Sequence, residues 1–537
     1  MRHKSSLMDL KKFIAPSNIY FYSVLLLAAS LPLSIFTTSL AEIILLVNWI
    51  REGDFRNKWE LLKKRKAVFF IIALYLLHII GLVYTQQSNW HYAMHDLKIK
   101  LPVLILPVIF ASSEGLNHKK TRIILLLFST ATIVSTLISL AVFVGIIPYE
   151  FYDFRDISIF ISHIRLALMV NLSIFILMFY IFNRKSELRL SPGLQVTYGL
   201  FIFWLIFFLV LLKSITGLMI LTCLTLVLGW YYSSDIKDIA PRFIIRVFII
   251  TIPLIIASYI TGSISKFYQT EKVNFSSLEE YTPSGNPYVH DTLRKARENG
   301  NYVWLYLCEK ELEKEWNQIS SIPYDGKDNK DQRIKYTLIR YLTSIGERKD
   351  SAGVSRLTGE DIRAIENGKA NRIFTNKYRL YPRIYEIIWE IDGYLRGGDP
   401  SGHSIAQRIA YLNAAKSIIR HNWIIGVGTG DVQKSFNDYY ESTGSKLAKN
   451  FRRRAHNQYV TFFLSFGVIG FIWSMLAIFL PIFIEKKWGD YLFIVFFTIA
   501  AISMLNEDTL ETQTGVSFFI YFYAFLLFAR KPENHNG

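Results

Sequence analysis

Apolar stretches of about 18 residues, each long enough to cross a bilayer as a helix, recur along this sequence from one end to the other. A chain of this kind cannot bury every stretch in a water-soluble core. In lipid each segment must satisfy its own backbone polar groups, which makes the segments helices. Bounding the runs by charged or turn-forming residues places spans near 19–33, 35–50, 67–83, 97–112, 123–147, 163–182, 194–212, 214–231, 243–260, 457–484, 491–505 and 516–529. The pattern predicts an all-α polytopic membrane protein with about 12 transmembrane helices. Composition agrees, since 51% of the 537 residues are hydrophobic and 19% are charged, against roughly 25% charged in soluble domains. The first run, with LLLAAS, has features of a signal peptide, but the long leader before it and the second run directly after it favour a retained span.

Charge sets the expected orientation. With residues 1–18 inside, that N-terminal stretch, the inner connections and the tail from Arg530 together hold 24 Lys and Arg residues, whereas the short outer connections hold four: Lys98, Lys100, Arg155 and Lys213. The net charge of +17 is therefore read as topology, and no nucleic acid partner is expected. The interval 261–456 is far too long for a connection. It is read as a large, mainly helical extracytoplasmic loop domain, with a helix over 303–319. The expected organisation is a membrane bundle at 1–260, the loop domain at 261–456, three spans at 457–529 and a cytoplasmic tail at 530–537. Cys223 and Cys308 lie in an apolar and a polar segment and form no disulfide framework, and no HExxH, GxSxG or EF-hand spacing occurs.

Residues 401–456 carry nine basic residues against three acidic ones, which implies an anionic partner near the point of membrane re-entry. The stretch 401–440 reads as helix, glycine turn, helix, with Ser404 as N-cap, Ile405, Ile409, Leu412 and Ile419 as the apolar face, and Asp431 as a cap for the second helix. Amides of the turn around Gly428 can cradle a phosphate or simply pack tightly. Arg408 lies on the first helix, and Arg452 to Arg454 with His456 and Asn457 stand at the head of the next span. Those groups suit lipid headgroups and a helix cap, or a site. Arg165 opens another span, where it can snorkel or face a cavity. Lys213 occupies a short turn between spans, and Glu507, Asp508 and Glu511 cluster on the outer link 505–515.

Arg408, GVGTG at 426–430, HNQYVTFFLSFGVIG at 456–470 and MLNEDTLETQTGVSFF at 504–519 resemble the O-antigen ligase and polymerase superfamily, as does the layout of spans around one late outer loop. The resemblance implies a membrane glycosyltransferase acting on a polyprenyl diphosphate-linked glycan donor. The acceptor would be a lipid A core or other glycan in the outer leaflet of the inner membrane, with the loop in the periplasm and membrane lipids around the site. It implies His456 as the catalytic residue and Arg408, Arg165, Lys213 and Gly428 as diphosphate contacts. Arg454, Asn457, Glu507, Asp508 and Glu511 support them, with no metal and no cofactor. Where many members place an arginine in a Ser-Arg-Gly-like turn, this chain has Lys213 before SITG.

These residue types suit the reaction. A departing diphosphate is a weak base and needs positive charge more than a proton, which arginine forks supply, while an acceptor hydroxyl needs a base working near neutral pH. A ligase and a polymerase of lipid-linked repeats share this chemistry. A secondary transporter also suits twelve spans, although no paired half-chain repeat or matched broken helices are legible.

Overall fold

The computed structural model describes residues 15–151, 154–182, 190–375 and 380–530. The basic stretches 1–14, 183–189 and 531–537, which contribute to the expected orientation, lie outside the described residues, as does the side chain of Arg155. The fold is all-α. Among the described residues the strands amount to one short hairpin, Arg297–Glu298 against Asn301–Tyr302. The chain divides into two compact units, residues 1–237 with 407–537, and residues 238–406.

A helix lies under each of the twelve expected segments. Among the described residues, length and apolarity qualify six helices to cross a membrane: His118–Phe143, His163–Phe182, Pro192–Leu211, Ile215–Ser233, Ile239–Tyr268 and Gln458–Ile484. Ala67–Ile80, Tyr491–Asn506 and Gln513–Ala529 are apolar but shorter. Pro16–Ser30 has 15 residues, about 22 Å of helix against a core of roughly 30 Å. Ile35–Glu52 carries Glu42, Arg51 and Glu52, and Trp90–Ser112 carries Asp96, Lys98 and Lys100, which lowers their apolarity. The connection 51–66, expected to lie inside, is itself partly a helix, Phe55–Lys64.

In the first unit, helix starts are fixed by side-chain caps: Ser34, Asn117, Ser214, Asn457, Asp490 and Thr512 each accept a first-turn amide. The last apolar segment is central. Residues 515–529 are buried on every side, as expected of a helix apolar all round, and Phe496, Phe518 and Phe522 interlock there at ring separations of 5.5–5.9 Å.

Gln458–Ile484 is broken at Gly467, whose backbone (φ 62°, ψ −166°) is not helical. The break frees the carbonyls of Leu464 and Ser465, which accept the amides of Val427 (3.0 Å) and Gly428 (2.9 Å), while Val468 N–H donates to Trp423 O (2.8 Å). The glycine turn is thus a brace across a broken span, satisfying backbone groups that lipid would leave unpaired. A Cβ at Gly426 (φ +73°) would lie 2.3 Å from the Ser465 carbonyl carbon. Gly426→Ala is expected to destabilise the protein by about 2 kcal/mol or more. Gly444→Ala, at φ +59° with open space around it, is expected to cost about 1 kcal/mol; unequal losses in thermal unfolding of nanodisc-embedded protein check this.

The helix Ser404–His421 buries only part of the expected face: Ile405 and Ile409 are half-buried and Ile419 packs partly buried against the core. Tyr411, Ala414, Ala415 and Ile418 are buried with Val432, Phe436 and Tyr440 of the Val432–Ser442 helix and Leu464, whereas Leu412 is exposed. Small alanines let the helices approach closely, and that close fit outweighs the bulk of the isoleucines and Leu412.

The second unit holds Ile239–Tyr268, a 30-residue helix whose most apolar window is wholly unburied within the chain, so lipid is the medium that suits it. Its polar portion has a separate core around Trp316, Leu338, Tyr341 and Ile365. The helix expected over 303–319 begins only at Glu309. Before it, Val303, Leu305 and Leu307 are buried in alternation, and Leu307 bridges Val289 and Lys349 as extended chain.

Candidate functional site

Glu507 follows the C-terminus of the Tyr491–Asn506 helix in extended conformation and is nearly buried. Two guanidiniums and an imidazole of distant origin face it. Arg165, in the first turn of the buried His163–Phe182 helix, places Nη1 4.0 Å from its carboxylate. Arg408 approaches to 3.5 Å from the Ser404–His421 helix. His456 Nδ1 lies 3.7 Å away, an electrostatic facing too long for a hydrogen bond. Burial pushes the Glu507 carboxyl up, yet the facing imidazole and the Arg165 and Arg408 guanidiniums outweigh it and hold the carboxyl below its ordinary value.

The three groups differ in access. Arg165 is buried and donates from Nη2 to Asp508 O (3.2 Å) and from Nε to Thr512 Oγ1 (3.4 Å), while its Nη1 has no hydrogen-bond partner among the described residues. Arg408 and His456 keep 38% and 28% of their side chains exposed, so both can meet a ligand. The His456 ring packs 5.6 Å from that of Tyr411, which is anchored through its hydroxyl to Phe451 O (2.6 Å). His456 also has φ +49°, a left-handed backbone uncommon outside glycine.

A second cluster stands beside the first. Glu511 accepts Lys100 Nζ (2.8 Å), Arg454 Nη1 (2.9 Å) and Gln458 Nε2 (3.1 Å), and Lys100 also bonds Asp96 at 2.6 Å. Arg454 additionally bonds the Tyr92 hydroxyl. Burial pushes Glu511 up, but the Lys100 and Arg454 charges hold it well below the usual carboxylate range. Asp508, between the clusters, accepts Thr461 Oγ1 at 2.7 Å; burial and the Glu511 charge push its carboxyl up.

The remaining expected residues are placed differently. Asn457 caps Gln458–Ile484 through Val460 N–H (3.0 Å) and donates to Leu505 O (2.9 Å), which makes it a structural anchor. The Gly428 amide is committed to Ser465 O, and its neighbours Val427, Thr429 and Gly430 donate to Leu464 O, Gly81 O and Thr85 Oγ1. The glycine turn therefore offers no anion cradle in this conformation; Gly428 is a packing residue. Asp431 does not cap its helix but accepts from Gln86 N–H (2.9 Å) and Asn89 Nδ2. Lys213 is exposed, at φ +51°, in the turn between Pro192–Leu211 and Ile215–Ser233. Lys100 and Gln458 were missed as site residues, although Asp96 and Lys100 at i,i+4 on an apolar segment signal a buried ion pair.

Residues 373–475 match the family model described as O-antigen ligase. That segment is similar to the O-antigen ligase superfamily. The matched ligase segment contains Arg408, the glycine turn and His456, whereas Arg165, Glu507 and Glu511 reach the site from outside it. Comparison with curated proteins returns no match.

Proposed function

We propose that the chain is a metal-independent glycosyltransferase of the inner membrane that moves a glycan from a polyprenyl diphosphate to an outer-leaflet acceptor, as an O-antigen ligase does. The observation that carries this reading is the meeting of Arg165, Arg408 and His456 on the single carboxylate of Glu507. One carboxylate against two guanidiniums leaves positive charge over, which suits a diphosphate. With Nδ1 turned to Glu507, the His456 ring is left with Nε2 to take the proton of an acceptor hydroxyl as that oxygen attacks the anomeric carbon and the diphosphate departs with its bonding pair. The lysine and arginine distribution supports a cytoplasmic N-terminus and a periplasmic site.

The deciding experiment is the glycan profile of a deletion strain. Unmodified acceptor with accumulated lipid-linked glycan supports the ligase, a product of single repeats indicates a polymerase, and an unchanged profile rejects both.

At position 408 the two kinds of cation are expected to differ. Arg408→Lys keeps the charge but loses the fork, so transfer should fall about tenfold or more, toward that of Arg408→Ala; wild-type rates in both variants return Arg408 to the solvated surface. Chelation with EDTA is expected to leave the rate of purified protein unchanged, because the guanidiniums neutralise the leaving group. A loss restored by one divalent ion rejects the metal-free mechanism.

A further inference from the structure

The unit 238–406 contains a cleft of ≈ 440 Å³ where the Ile239–Tyr268 helix ends and the Tyr381–Leu395 helix passes, within the roughly 300–1,000 Å³ of small-ligand sites. Most of its walls lie before residue 373, outside the ligase-matched segment. We propose that it binds a short acidic saccharide, independently of the transfer reaction at Glu507.

Aromatic rings form one part of the lining. Tyr268, Tyr336 and Trp389 are 49%, 47% and 41% exposed, and Trp304 lies among them. Large ring faces open to water beside charged groups match the C–H faces of a pyranose, which are apolar while the ring edge is polar.

Fixed polar groups form the other part. Glu298, almost fully buried, accepts Arg340 Nε and Asn371 Nδ2, each at 2.7 Å. Asp392 pairs with Arg396 Nε at 2.8 Å and accepts the Tyr268 hydroxyl at 3.3 Å. These pairs hold donors and acceptors in place before a ligand arrives, which limits the entropy lost in binding vicinal hydroxyls.

The charge balance selects among saccharides. Lys295 and Arg297 also line the cleft and are exposed. They rest over the rings of Phe275 (4.7 Å) and Tyr302 (4.9 Å), with no carboxylate in ion-pair range among the described residues. With Arg340 and Arg396 matched by Glu298 and Asp392, these two cations are the surplus, and a carboxylate-bearing sugar supplies the missing charge. A lipid chain fits poorly, because it would bury the two ion pairs without any new partner.

The test is a titration of full-length protein in nanodiscs with tetragalacturonate and, as neutral counterpart, maltotetraose, read by tryptophan fluorescence and calorimetry. The acidic probe is expected to bind saturably and about tenfold more tightly than the neutral one. Trp389→Ala is expected to weaken it about tenfold. Lys295→Gln with Arg297→Gln, both exposed and outside the packed core, should abolish the preference for the acid. His456→Ala should leave binding intact. Absence of saturable binding to wild-type protein, or binding indifferent to both the tryptophan and the double substitution, overturns the proposal. Loss of binding in His456→Ala also overturns it, assigning the signal to the Glu507 cluster, whereas binding retained in a protein that proves inactive in transfer leaves the cleft standing while the transferase reading fails.

Discussion

Replacing His456 with glycine is expected to leave the protein folded and to cut glycan transfer by about 10²–10⁴-fold, the usual contribution of a general base. The argument begins with the backbone. His456 has φ +49°, a conformation that costs a side-chain-bearing residue roughly 1 kcal/mol and glycine nothing. Its ring is partly exposed and forms no hydrogen bond of 3.5 Å or less to Glu507, so little packing is lost on removal. His456→Gly should therefore unfold at or near the wild-type temperature, and His456→Ala slightly below it. Both should retain the helix cap, which belongs to Asn457. If the imidazole is the acceptor base, both variants are equally inactive. Near-normal transfer by either well-folded variant removes His456 from the chemistry and leaves it as a strained hinge before the span.

The helices were legible because lipid imposes a length and an apolarity that composition alone exposes, and each expected segment is helical. Segment ends were less legible: Pro16–Ser30 starts and stops before the expected bounds, and Trp90–Ser112 begins upstream of its expected start, running through polar and charged residues such as Asp96 that hydropathy assigns to a connection. The glycine turn could be read as a cradle or as packing, since both need small residues at positive φ. Only the break at Gly467, forty residues along the chain, shows where its amides go. The amphipathic face of Ser404–His421 was partly misplaced for a related reason, because hydrophobicity marked Leu412 while close packing chose Ala414 and Ala415. Arg165, Arg408 and His456 were named through family resemblance. That Glu507 is the group they share is a property of three dimensions, since nothing in the acidic link 505–515 distinguishes Glu507 from Asp508 or Glu511.

Glu507→Gln is expected to cost about 3 kcal/mol of stability as well as most of the transfer activity. Arg165 is buried, and its nearest compensating charge is Glu507 at 4.0 Å; removing one member of a buried pair leaves the other charge without an offset, at about 3–5 kcal/mol. Arg408 and His456, partly in water, lose much less. The double variant Arg165→Met with Glu507→Gln removes both charges and keeps the volume, so it should recover most of the lost stability. The two measurements then separate structure from chemistry. If Arg165 helps to hold the diphosphate, the double variant is folded and inactive, and thermal unfolding in nanodiscs diverges from the transfer rate. If Arg165 serves only to anchor Asp508 O and Thr512, transfer should return together with stability, and Arg408 alone would remain to meet the leaving group. A Glu507→Gln protein as stable as wild type rejects the buried pair itself, because the single carboxylate would then be compensating no buried charge.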